Sequence, residues 1–178
     1  GTALARPPVI LTDIRDGRLA IGTLLGADVV INASRVGAVD AVRAANGGRG
    51  VDYVFECSGA PNAVNDAVRM VSRGGRVCLG AFSHQPAVVD IGYIVANNIY
   101  LYGIRGEGKS AVRRAASLMA QRKIDASPVH THTFALDELP TGLRYARDRI
   151  DGAIKVVIKP QVVRGGTVDK PVHAFAES

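Results

Sequence analysis

Short apolar runs alternate along this chain with segments of helical spacing, and that alternation limits its fold more than any other feature. Residues 9–11 are followed by a helical pattern over 17–25, residues 28–31 by one over 36–46, and residues 51–55 by one over 62–71. The runs at 76–79 and 99–102 continue the series, before a helix from about 109 to 121. Strands separated by helix-length connections lie parallel, because a tight turn cannot bring the chain back across a helix. The predicted fold class is therefore α/β, a doubly wound parallel sheet. Gly26, Asn46-Gly47-Gly48 and Gly74-Gly75 stand where the three helices should close, each suited to a left-handed cap.

Beyond residue 121 the pattern changes: a Pro-marked loop, a strand over 130–134, a helix over about 137–149 and a strand over 153–158. The segment from 161 on lacks periodicity and reads as a loosely ordered tail. The expected organisation is 1–125, 126–160 and 161–178, with no internal repeat.

Composition narrows the function classes. The formal charge of +6 comes from Lys and Arg scattered over helical stretches, and aromatic residues are only 5% of the chain. No basic stripe interleaved with rings is present, so nucleic-acid binding is not expected. The most apolar long window, "AVVDIGYIVANNIYLYGI" from Ala87, is broken by Asp90, Asn97 and Asn98, which makes crossing a bilayer costly. Cys57 and Cys78 lie in apolar runs with no CxxC spacing, as reduced thiols in a reducing cytoplasm would.

A parallel doubly wound sheet binds ligands beyond the carboxyl ends of its strands. Those tips are Asp13, "ECSGAP" at 56–61, "LGAFSH" at 79–84 and "YGIRGEG" at 102–108. Small residues at three of the four let a ligand approach the backbone. Asp13 is the most informative. A carboxylate at such a tip accepts both hydroxyls of an adenosine ribose and repels a 2′-phosphate, which favours NAD over NADP. A simple helix N-cap is the alternative role. Arg15 and Arg18 follow, and a guanidinium there suits stacking on adenine or binding phosphate. The Gly-rich phosphate loop that should precede such an aspartate by roughly 20 residues has no room before position 13.

Other chemistry is poorly supported. His130 and His132, two apart on a strand, share a face as a metal pair would, but no third ligand accompanies them. His84 lies in a tip loop and His173 in the tail. Ser58 and Ser83 lack a helper His at motif spacing, and no GxSxG occurs.

Taken in order, "VILTDIRDGRLAIGTLLGADVVIN", "GRGVDYVFECSGAP", "VSRGGRVCLGAF", "YGIRG", "THTFALDEL" and "DGAIKVVIKP" resemble the coenzyme-binding half and C-terminal return of zinc-dependent medium-chain alcohol dehydrogenases. The sorbitol and threonine dehydrogenase branch is the nearest. The resemblance implies hydride transfer between a secondary alcohol and NAD, with zinc polarising the oxygen. It assigns Asp13 to the ribose, Arg18 beside the adenosine, and Cys57 and Ser58 to the backbone lining the coenzyme. Gly80, Ala81 and Phe82, with Ile104 and Arg105, fall in the two loops holding the nicotinamide end.

The same comparison says what the 178 residues do not supply. The first Rossmann strand, its GxGxxG loop and the zinc ligands all belong upstream of residue 1, so no catalytic or metal residue is assigned in this chain. The expectation is a chain inactive alone, whose sheet, in the order 3-2-1-4-5-6, either keeps two open central edges or closes them on each other. A small alcohol or polyol would be a substrate only with the missing half supplied. A second reading is a non-catalytic nucleotide-binding or dimerisation module, with 99–102 pairing across a two-fold axis as a homo-oligomer. A third, an S-adenosylmethionine methyltransferase, conflicts with the order of the final elements, which lack a terminal hairpin.

Overall fold

The structure, a computed structural model, describes residues 7–106 and 108–160. The tail and the first six residues, whose roles the sequence suggests, lie outside the described residues. Two compact units divide the chain, Gly1–Ala116 and Ser117–Ser178.

The first unit follows the expected alternation. Its elements are β1 (Ile10–Asp13), α1 (Asp16–Leu24), β2 (Val29–Asn32), α2 (Ala38–Ala45), β3 (Val51–Glu56), α3 (Pro61–Met70), β4 (Val71–Leu79), α4 (Ile91–Ala96) and β5 (Tyr100–Gly103), with α5 (Lys109–Ala120) leaving it. All strand pairs are parallel. They form two sheets, β1–β2 and β3–β4–β5. Among the described residues β1 pairs only with β2 and β3 only with β4. The two central edges thus stay open rather than closing on each other.

Side chains decide which faces are covered. On β1, Leu11 points to α1, whose Gly22 sits so close that an added Cβ would lie 2.0 Å from the Leu11 side chain. Ile10 points the other way, into a cluster with Ile31, Val42 and Met70 that also takes in Val51 and Val54 of β3. Helices α2 and α3 therefore span both sheets on one face. The Arg43 guanidinium fastens that junction, donating to the Arg69 carbonyl at 2.7 Å and to the Tyr93 hydroxyl at 3.1 Å. A second cluster, Ala67, Val68, Val71, Val77 and Ile99, fills the space between α3, α4 and β3–β4–β5.

Two local features differ from the sequence expectation. The strand expected over 76–79 begins at Val71, directly after α3. Val71 pairs with Val51 and Arg76 with Tyr53, so residues 72–75 loop out against one residue of the partner. Buried, β-branched Val71 gains more by pairing than by ending the helix. Gly74 still supplies the left-handed backbone expected of it, at φ +75°, but inside this loop, where its N–H donates to the Asn97 carbonyl at 2.9 Å. Helix α4 arises within the apolar window because the Asp90 carboxylate accepts the Tyr93 N–H at 2.9 Å as an N-cap.

The second unit pairs β6 (His130–Ala135) in parallel with β7 (Lys155–Lys159), under α6 (Leu139–Asp148). Gly142 allows the close approach, since a Cβ there would lie 2.6 Å from Ile158 and 3.1 Å from Phe134. A register shift between His130 and His132 breaks the simple alternation that would aim both rings together. His130 Nε2 is 2.9 Å from Thr133 Oγ1, whereas His132 packs with its ring centroid 5.2 Å from that of Tyr145.

Candidate functional site

In parallel sheets every carboxyl end opens to the same side, so the tips of β1, β3, β4 and β5 are the places to look for a ligand. The residues singled out by sequence fall there in two groups.

The first group is at the tip of β1. Asp13 ends the strand, and its Oδ1 accepts the Arg15 N–H at 2.9 Å, which turns the chain into α1. Arg15 itself occupies the N-cap position and α1 has no side-chain cap, so the N-cap role considered for Asp13 is not the one it takes. Its Oδ2 lies 3.9 Å from the Arg18 guanidinium, both side chains partly exposed. A carboxylate with one oxygen held by backbone and the other turned to a nearby cation is placed to accept a diol. Sequence gave no hint of the polar cluster beside it. Asn32, at the tip of β2, donates to Asp16 at 2.6 Å and accepts the Ser34 N–H at 3.0 Å, while Arg35 pairs with the same Asp16 carboxylate.

The second group joins the tips of β3, β4 and β5. Gly80 N–H donates to the Glu56 carbonyl at 2.8 Å, and Ile104 N–H to the Leu79 carbonyl at 3.0 Å, which extends the ladder one step beyond each strand. The chain then opens a hollow of about 470 Å³ lined by Gly80, Phe82, Ile104, Arg105, Gly106 and Ala111. Phe82 is 76% exposed, and the Arg105 guanidinium lies 5.8 Å from its ring centroid. Residues 57–59 border this group. A Cβ on Gly80 would stand 3.5 Å from Cys57 Sγ, and one on Gly59 would come within 2.5 Å of the Phe82 carbonyl and 3.5 Å of Ala81 Cβ. Burial pushes the Cys57 thiol above its ordinary range, and the neighbouring Glu56 carboxylate and Cys78 push it the same way.

Glu56 opens the tip "ECSGAP", but the sequence does not show that its side chain is buried. It is the one buried charged side chain among the described residues, 6% exposed. Its Oε1 accepts the Ser58 N–H at 2.8 Å and the Ser58 hydroxyl, and its Oε2 takes the Gly59 N–H at 3.4 Å. Nothing in "VDYVFECSG" separates this carboxylate from an ordinary solvated one, since a buried acid is recognised by its donors and those form only in the folded turn.

The described residues contain no group of three His, Cys, Asp or Glu side chains able to hold a metal ion. The donors among the described residues do not fit a zinc centre.

A family profile described as zinc-binding dehydrogenase matches residues 3–121. The chain is 27% identical over 146 residues to an L-threonine 3-dehydrogenase of Pectobacterium atrosepticum, covering 82% of this chain and 40% of that protein. Its fold superposes on the 2R,3R-butanediol dehydrogenase of Bacillus subtilis with a TM-score of 0.77 at 21% identity, over 87% of this chain and 44% of the other. An Escherichia coli alcohol dehydrogenase solved with NADH gives a TM-score of 0.75 at 22% identity, over 84% and 43%. The chain thus spans less than half the length of these relatives. The parallel strand order, the tips of small residues and the profile match together place this chain in the zinc-binding dehydrogenase family, as a portion corresponding to its Rossmann-like dinucleotide-binding domain.

Proposed function

We propose that the chain is the coenzyme-binding portion of an NAD-dependent alcohol or polyol dehydrogenase of the sorbitol and threonine dehydrogenase branch. The carrying observation is Asp13, set at the tip of β1 with one carboxylate oxygen fixed by the Arg15 N–H and Arg18 at 3.9 Å from the other. That arrangement suits two ribose hydroxyls and disfavours a 2′-phosphate, hence NAD over NADP. The threonine dehydrogenase relatives and the NADH-bound neighbour support the coenzyme and the class of reaction.

In this reading Arg18 flanks the adenosine, and Cys57 and Ser58 line the coenzyme through their backbone. Gly80, Ala81, Phe82, Ile104 and Arg105 border the nicotinamide. The coenzyme carries the hydride, while these residues bind it, orient its ring and exclude water from it. Residues 126–160 serve as the return segment of the catalytic part. A secondary alcohol is the substrate once zinc ligands and a phosphate loop are supplied from outside these residues, and the 178-residue chain by itself turns nothing over. Among the described residues β5 pairs only with β4, and its other edge is where a second copy of the chain would add. Its two free cysteines suit the cytoplasm. Among the described residues no helix is long and apolar enough to cross a membrane.

The test is a titration of the chain with NADH, followed by nicotinamide fluorescence, with NADPH beside it. Asp13→Ala is expected to weaken NADH binding by roughly 10- to 100-fold, the worth of charge-assisted hydrogen bonds to the ribose, and to leave NADPH weak. Equal loss for both coenzymes, or none, would refute the assignment of Asp13.

A further inference from the structure

Glu56 is the buried charge for which the proposed chemistry has no use. A carboxylate removed from water is costly unless its oxygens are satisfied, so its donors must repay its burial. All three come from the next three residues: the Ser58 N–H at 2.8 Å, the Ser58 hydroxyl, and the Gly59 N–H at 3.4 Å. The Ser58 hydroxyl in turn accepts the Ala60 N–H at 3.1 Å, directly before the N-terminus of α3. One acid therefore fixes the whole passage from β3 to α3.

That passage is pressed against the neighbouring tip. Gly59, at φ +70°, lies so near residue 82 that a Cβ would come within 2.5 Å of the Phe82 carbonyl oxygen. On the strand side the Glu56 carbonyl accepts the Gly80 N–H at 2.8 Å. Main chain and side chain of Glu56 thus hold both borders of one turn, the first through Gly80 and the second through Gly59. Phe82 and Gly80 line the hollow next to Ile104 and Arg105.

We propose that Glu56 is a positioning residue. Its buried carboxylate locks residues 57–59 against the 80–82 loop and so sets the shape of the hollow that receives the nicotinamide end of the coenzyme, while the adenosine end at Asp13 does not depend on it. The second half of this statement rests on the dinucleotide reading above; the first half does not.

The experiment has one arm for each half. In the free chain, amide hydrogen exchange is measured residue by residue for Glu56→Gln, Glu56→Ala and Ser58→Ala. Glu56→Ala, which removes both acceptor oxygens, should speed exchange at Ser58 and Gly59 by at least about tenfold, the loss of a charge-assisted bond. Glu56→Gln keeps one acceptor oxygen, so the Ser58 amide should stay protected while the Gly59 amide, now facing an NH₂ group, loses protection. Ser58→Ala should leave both amides protected. Exchange unchanged at Gly59 in Glu56→Gln would overturn the lock, and this variant preserves size if Glu56→Ala fails to fold.

In the second arm NADH and ADP-ribose are titrated in parallel. Glu56→Gln should weaken NADH by about tenfold and ADP-ribose by less than about twofold, a split that general loss of structure does not produce. Gly59→Ala, which displaces the Phe82 peptide by a different route, should reproduce the same split. Equal weakening of both ligands would overturn the link to the nicotinamide end. Should the wild-type chain bind neither ligand, the link to the nicotinamide end falls together with the dinucleotide reading, and the exchange arm still decides whether Glu56 locks the turn.

Discussion

On the sheet β1–β2, Leu11 packs against α1 and Ile10 into the cluster of α2 and α3, with Val30 beside Leu11 left 38% exposed, whereas among the described residues β3–β4–β5 has helices packed on one face. On its covered face Val54, Val77 and Leu101 meet α3 and α4. The other face carries the rows Tyr53–Arg76–Tyr100 and Phe55–Cys78–Tyr102, with Tyr53 at 53% and Phe55 at 67% exposure. Strands of similar sequence thus end in unlike surroundings. What a strand's alternation specifies is that its two faces differ; which face is covered depends on the helices that reach it.

The open face has its own order. The Arg76 guanidinium lies 5.5 Å from the ring centroid of Tyr53 and 5.3 Å from that of Tyr100, and it donates to the Tyr53 hydroxyl at 2.7 Å. A row of aromatic rings is thereby given a polar partner in place of a helix. The Tyr102 hydroxyl is held above its ordinary range, by desolvation first and by its hydrogen bond with Cys78 second.

The largest effect expected from this contrast is between Val77 and Phe55. Val77→Ala, on the covered face where no solvent reaches the side chain, should cost about 2 kcal/mol in urea unfolding. Phe55→Ala, on the open face, should cost less than about 0.5 kcal/mol. An equal cost for both would mean that the open face is covered in solution, and light scattering would then distinguish self-association from a rearranged fold. Next comes Arg76→Ala, which removes two ring contacts and one hydrogen bond at an exposed site and should cost at most about 1 kcal/mol. Lysine at the same position should recover part of that, since it restores the charge but not the planar stacking.

The smallest effect concerns Cys57, at the tip of β3. Its pKa is raised in the folded chain by burial, with Glu56 and Cys78 adding to it, so the fold favours the neutral thiol. That contribution is fully present below the ordinary thiol pKa and is lost as pH rises through the raised value. Iodoacetamide should therefore alkylate Cys57 more slowly than an unstructured thiol at pH 8, with the rate rising at higher pH. Glu56→Gln should shift that rise to lower pH, because one of the groups opposing the thiolate has lost its charge. Cys57 is itself solvent-exposed, so a rate profile matching the free thiol would mean that its surroundings do not hold the thiol above its ordinary range.

Much of the framework was legible in the chain itself. The spacing of apolar runs gave the α/β class and most elements, because a parallel strand is a short apolar run whatever its neighbours are. Asp13 was legible as a strand-tip carboxylate for the same reason. Helix α4 was not, since its six residues carry too little periodicity and its start depends on the Asp90 cap. The early start of β4 was hidden because Val71 suits helix end and strand equally until Val51 lies beside it.

The sequence by itself determined the kind of most elements, α4 and the start of β4 excepted, and the order of small and acidic residues at the tips, since both follow from local spacing and backbone preference. Only the tertiary structure decided that Glu56 is buried under three donors, that Gly59 touches Phe82, and that among the described residues β1 pairs only with β2 and β3 only with β4. Those outcomes depend on contacts between residues distant in the chain or on a turn that exists only once folded, and no local spacing encodes them.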